Sequence, residues 1–185
     1  PELADAELSQ RLSTVRSTSQ ALAAESVDVD NHGYLVNDFQ LSQVPVALRE
    51  LEPSKQISFF LHTPWPKSVP SSNIAIKILE FLASGMLAAD VIQFQTQKDL
   101  QAFEIFVTGH LQLELANVQL DVNPVSVNVQ HLNLESLDTE DLLNLREDEI
   151  SYVHIARSDP IKNTLPSINA FTELAQEFHA SAPRS

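Results

Sequence analysis

The sequence predicts an α/β protein with a mainly parallel sheet, on three observations. Short apolar runs of strand length, at 34–36, 57–61 and 91–94, alternate with segments whose apolar residues recur at helical spacing. Ile57-Ser58-Phe59-Phe60-Leu61 is almost continuously apolar, the pattern of a strand covered on both faces. Turn-forming residues punctuate the segments, and strand–helix–strand order of this kind calls for right-handed crossovers between parallel strands.

Taken in order, Leu3 to Ala24 is rich in Ala, Leu, Gln, Glu and Arg and reads as a helix, which Asp28 to Gly33 breaks. Tyr34-Leu35-Val36 reads as a short buried strand. Leu41, Val44, Leu48 and Leu51 mark a helix that tolerates Pro45 in its first turn and stops before Pro53. After the 57–61 strand comes a proline-rich loop, His62-Thr63-Pro64-Trp65-Pro66. Ile74, Ile78, Phe81, Leu82 and Met86 then predict a helix, Val91 to Phe94 a strand, and Leu100, Phe103 and Val107 another helix. Alternating apolar residues from Val118 to Val129 suggest extended chain interrupted at Pro124. Leu134 to Asp148 reads as an exposed acidic connection, with a helix start at Asp138-Thr139-Glu140. Ile150 to Ala156 reads as a further strand, and Leu165, Ile168, Phe171, Leu174 and Phe178 as a closing helix.

Composition narrows the functions. A net charge of −14 and the scarcity of Lys and Arg argue against nucleic acid and membrane surfaces as partners. No window has the apolar length of a membrane span, and Pro1-Glu2-Leu3-Ala4-Asp5 lacks the regions of a signal peptide, so a cytoplasmic protein is expected. Without cysteine, thiolate metal sites and a cysteine nucleophile are excluded. The six histidines show no ligand spacing, and neither metal nor cofactor is expected. Only 3 glycines occur, so glycine-rich phosphate loops are absent. The missing initiator Met suggests a piece of a longer protein.

Ligands in parallel α/β sheets sit at the carboxyl ends of the strands, which directs attention to polar residues after Val36, Leu61, Phe94 and Ala156. Four stand there: Asp38, His62, Arg157 and Lys162. Arg157 and Lys162, beside the start of a helix, suit a phosphate group. Asp38 can orient hydroxyls, or instead cap the helix that begins near Gln40. His62 can hydrogen-bond a ligand or be an ordinary loop histidine, and Arg157 and Lys162 can be a solvated basic pair. Trp65 can stack on a sugar or pack inside.

Five ordered segments carry a resemblance. They are Val36-Asn37-Asp38-Phe39-Gln40-Leu41 with Val44-Pro45 and Leu48-Arg49; Phe59-Phe60-Leu61-His62-Thr63-Pro64-Trp65-Pro66; Gly85-Met86-Leu87-Ala88-Ala89-Asp90-Val91-Ile92-Gln93-Phe94-Gln95-Thr96; Pro124-Val125-Ser126-Val127-Asn128; and Arg157-Ser158-Asp159-Pro160-Ile161-Lys162 with Pro166 and Ala170-Phe171. Together they resemble the trehalose-6-phosphate synthase family of retaining glucosyltransferases. The resemblance implies a GT-B fold: a Rossmann-like N-terminal domain over residues 1–146, then the first strand and helix of a C-terminal nucleotide-sugar domain over 147–185. It implies transfer of glucose from UDP-glucose to glucose 6-phosphate, giving trehalose 6-phosphate and UDP. Asp38, His62, Arg157 and Lys162 would be its catalytic and substrate-binding residues, with Arg157 and Lys162 on the donor diphosphate. Departures from the family pattern include Phe39 for Tyr, Gln93 for Gly, Gln95 for His, Ser126 for Gly and Asn163 for Gly. With these, and with parts of both substrate sites expected outside the chain, it is expected to be inactive alone. A regulatory subunit of a trehalose-synthesising complex and a glucosylglycerol-phosphate synthase are the alternatives, and a homo-oligomer is compatible with either.

Overall fold

The computed structural model of the chain describes residues 5–27, 30–126, 154–157, 159 and 162–181. They fall in two compact units, 1–127 and 128–185. The expected 146/147 boundary, the acidic connection, the helix start at 138–140 and residues 150–153 of the expected strand lie outside the described residues.

The first unit runs α1 (Asp5–Ser26), β1 (Gly33–Asn37), α2 (Val44–Leu51), β2 (Gln56–Leu61), α3 (Asn73–Met86), β3 (Val91–Phe94), α4 (Gln97–Ile105) and β4 (Gln119–Val122). The four strands are all parallel and lie in the sheet in sequence order. The predicted alternation is therefore the observed one.

Register aligns the apolar side chains. Val36 pairs with Phe59 and Phe59 with Ile92, while Leu61 pairs with Phe94. These residues share one core with Leu48 of α2, Met86 of α3 and Phe103 of α4. Side chains alternate across a strand, so the intervening residues face the other way. Among them Leu35 is 65% exposed. The strand predicted to be buried at 34–36 is thus buried only at Val36; β1 is the edge of the described sheet, and Leu35 is open there.

Two helix starts follow from side-chain capping: Ser72 accepts from the Ala75 N–H at 3.4 Å, and Thr96 from the Asp99 N–H at 3.2 Å. Helix α4 ends in a wide π turn, Phe106–His110, where His110 Nε2 meets Glu80 at 2.9 Å. Helix α1 lies over α2 and α3 through the stripe Leu8, Leu12, Val15, Ser19 and Ala23.

The amino edge of the sheet is clamped by Arg49 and Asp90. Asp90 Oδ2 accepts the Ile57 N–H at 2.7 Å and pairs with Arg49 at 2.8 Å, and Arg49 also donates to the carbonyls of Pro53, Lys55 and Ala88. Partial burial pushes the Asp90 carboxyl up, but the Ile57 N–H and the Arg49 guanidinium outweigh it and hold the group below the usual carboxylate range. A depressed folded value means stability that is fully present above the unfolded value of about 3.9 and lost as pH falls through the folded one. Asp90→Asn keeps an acceptor for Ile57 but loses the charge. It is expected to cost about 1 kcal/mol at neutral pH. In urea unfolding followed from pH 7 to 3, this difference from the unmodified chain should hold above about pH 4 and shrink below it.

In the second unit, residues 154–156 of the expected strand carry no strand pairing. Helix α5 (Thr164–Ser181) follows, with Leu165, Ile168, Phe171 and Leu174 exposed. No helix among the described residues is long and apolar enough to cross a membrane.

Candidate functional site

Parallel order brings the carboxyl ends of β1, β2, β3 and β4 to one edge. Leu61 pairs with Phe94 and Phe94 with Val122, so His62 and Gln95 leave the sheet side by side, with Asn123 next to them. Asp38 leaves β1 beside them, its backbone N–H donating to the Phe60 carbonyl at 2.7 Å.

Asp38 holds an unusual backbone, φ 67° and ψ 165°. That region is nearly confined to glycine and costs on the order of 1–3 kcal/mol for other residues. Three contacts impose it: the bond to Phe60, the Asp38 carbonyl accepting from Leu41 N–H at 3.0 Å, and Asp38 Oδ1 accepting from Thr63 N–H at 3.2 Å. The carboxylate therefore ties β1 to the loop after β2. It makes no cap on the 3₁₀ turn Phe39–Leu41, which rules out the capping role that sequence leaves open.

His62 is exposed, its ring 4.5 Å from that of Phe60, and its Nδ1 is 3.3 Å from Gln95 Nε2. The Gln95 oxygen accepts from the Val125 N–H at 2.9 Å. Gln95 occupies a position that strand order singles out, after Phe94, yet a neutral amide carries no chemical signature that selects it from sequence.

Arg157 and Lys162 lie in the second unit. Asp159 N–H donates to the Arg157 carbonyl at 2.8 Å and Lys162 N–H to the Asp159 carbonyl at 2.9 Å, and Asn163, φ 51°, precedes α5. Both cations are exposed and both precede a helix N-terminus, as predicted. Asp38 and His62 thus stand in the first unit, and Arg157 and Lys162 in the second.

Trp65 is 4% exposed, edge-on to Phe103 at 4.9 Å and to Phe106 at 5.4 Å. It is core, and the sugar-stacking alternative is excluded for the described conformation. Cavities of about 340 and 450 Å³ lie against α1, lined by Arg16 with Gln43 and Glu50 in one and with Lys77 and Phe81 in the other; none of the four predicted residues lines them. They follow from laying a polar helix over α2 and α3. Among the described residues no three His, Asp or Glu side chains gather as a metal site.

A parallel α/β sheet with a carboxylate and an imidazole at its carboxyl edge presents polar groups where folds of this class bind their ligands. The sequence pattern of glycosyltransferase family 20 matches residues 12–174, and the chain belongs to that family. It is 27% identical over 179 residues to validamine 7-phosphate valienyltransferase of Streptomyces hygroscopicus subsp. jinggangensis, covering 87% of this chain and 35% of that protein. It is 26% identical over 171 residues to trehalose-6-phosphate synthase of Mycobacterium avium, covering 78% and 34%. The structure is similar to α,α-trehalose 6-phosphate synthase of Burkholderia multivorans, with a TM-score of 0.53 and 26% identity over 70% of this chain and 29% of that one. The N-terminal domain of Candida albicans trehalose-6-phosphate phosphatase shares the fold, with a TM-score of 0.56 at 22% identity. The chain spans about a third of the length of these two sequence relatives.

Proposed function

We propose that this chain is the central part of a sugar-nucleotide-dependent transferase of the trehalose-6-phosphate synthase type. UDP-glucose would be the donor and glucose 6-phosphate the acceptor. The observation that supports the reading most is Asp38 held in a costly backbone conformation beside His62, at the edge where such sheets bind ligands.

In this reading the bond from the anomeric carbon to the donor phosphate breaks while the acceptor hydroxyl oxygen bonds to the same carbon on the same face. The hydroxyl proton passes to the departing phosphate oxygen. Arg157 and Lys162 stabilise the charge that develops on the nucleoside diphosphate, Asp38 orients sugar hydroxyls, and His62 hydrogen-bonds the donor sugar. A chain of net charge −14 repels phosphates overall, so local cations are needed to hold one.

A second reading keeps the transferase and changes the substrates. The match to the valienyltransferase over 87% of the chain favours it, and its name specifies validamine 7-phosphate. Both readings share a phosphorylated acceptor.

Calorimetric titration with UDP-glucose tests the donor assignment. Arg157→Ala, Lys162→Ala together are expected to weaken binding at least about 100-fold, since each charged hydrogen bond contributes about 1.5–3 kcal/mol. A folded chain that does not bind UDP-glucose, or binds it equally well without these two cations, overturns the assignment.

A further inference from the structure

The side chain of Gln95 has no freedom in how it meets its two neighbours. The Val125 N–H can only donate, so it must receive the amide oxygen, at 2.9 Å. Flipping the amide would set NH₂ against N–H. The amide nitrogen is thereby committed to His62 Nδ1, 3.3 Å away, and an NH₂ group can only donate. Nδ1 must accept. A neutral imidazole carries one ring proton, which then resides on Nε2. An imidazolium, a donor at both nitrogens, would oppose the amide.

The groups in this relay are well anchored. Asn123 N–H donates to the Phe94 carbonyl at 2.9 Å, fixing the chain just before Val125 to the chain just before Gln95. The Phe60 ring, 4.5 Å away, bounds the imidazole on one side.

We propose that Gln95 is a positioning residue that holds His62 as the Nε2–H tautomer. The ring then presents a neutral hydrogen-bond donor to a ligand oxygen, a hydroxyl or a phosphate, and does not serve as a general base. The ligand's part in this rests on the transferase reading, while the tautomer stands on the protein's own contacts.

Long-range proton–nitrogen NMR of the nitrogen-15-labelled chain at neutral pH reads the proton's position directly. The His62 signals are identified by their loss in His62→Ala. In the unmodified chain Nδ1 is expected to be bare and Nε2 protonated. Gln95→Glu still accepts from Val125 but offers His62 an acceptor, and is expected to move the Nδ1 resonance from the bare to the protonated position at the same pH. Amide spectra confirm that the variant is folded. A protonated Nδ1 in the unmodified chain, or a bare one in Gln95→Glu, overturns the proposal. Failure to bind UDP-glucose would sink the donor assignment and leave this result untouched, so the two failures are distinguishable.

Discussion

Gly85→Ala is expected to lower the stability of the first unit by about 3 kcal/mol, a fall in melting temperature of roughly 6–12 °C. In a helix interior this exchange ordinarily stabilises by about 0.5–1 kcal/mol, so its sign here is set by packing. A Cβ on Gly85 would stand 2.2 Å from the Ser42 carbonyl oxygen and 2.4 Å from Gln43 Nε2. Neither can yield. The first is backbone, and the second belongs to a side chain 5% exposed whose amide is bonded to the Phe81 carbonyl. Gly109→Ala is the control: a Cβ there meets nothing within 4 Å, and the melting temperature should stay level or rise. Equal shifts for the two variants in a thermal scan would contradict this account of the α3 contact.

Trp65→Ala is expected to cost about 3–5 kcal/mol by opening a cavity against Phe103 and Phe106. Trp65→Phe should cost far less, about 1 kcal/mol. It keeps an aromatic ring at the contact and removes an indole Nε1–H that is buried without a hydrogen-bond partner among the described residues. Trp65 is the chain's only tryptophan, so its fluorescence reports on the site without ambiguity. Emission should be that of a buried indole, protected from acrylamide, and unchanged by UDP-glucose. Quenching by acrylamide at the rate of a free indole would place the ring at the surface and revive a stacking role.

Strand and helix positions were legible because burial leaves a periodic trace: Ile57, Phe59 and Leu61 share one face of β2, and Ile92 and Phe94 continue it. Periodicity does not say which strand is an edge, and so Leu35 reads as buried when it is open. Arg49 and Asp90 stand in segments that carry the family resemblance, yet the structure gives them to the amino edge, away from the carboxyl ends of the strands, where they tie the stretch 53–57 to the stretch 88–90. A motif marks what a fold needs as readily as what its chemistry needs. Asp38 and His62 were accessible from position and residue type together. Gln95 had position only, and its importance lies in contacts with Val125 and His62, each about thirty residues away along the chain. The positive φ of Asp38 is likewise invisible in sequence, because tertiary contacts impose it against the residue's own preference.

The order of the strands also governs how the sheet can be assembled. Gly33 pairs with Gln56, Ser58 with Val91 and Val91 with Gln119, so each strand docks on the one synthesised just before it, with a single helix between. No strand waits for a partner beyond the next crossover, and a chain emerging from the ribosome can add each strand to a finished edge. Asp38 and His62 come together once β2 is in place. Gln95 and then Val125 arrive later, so the imidazole acquires its fixed orientation only as β4 closes on β3.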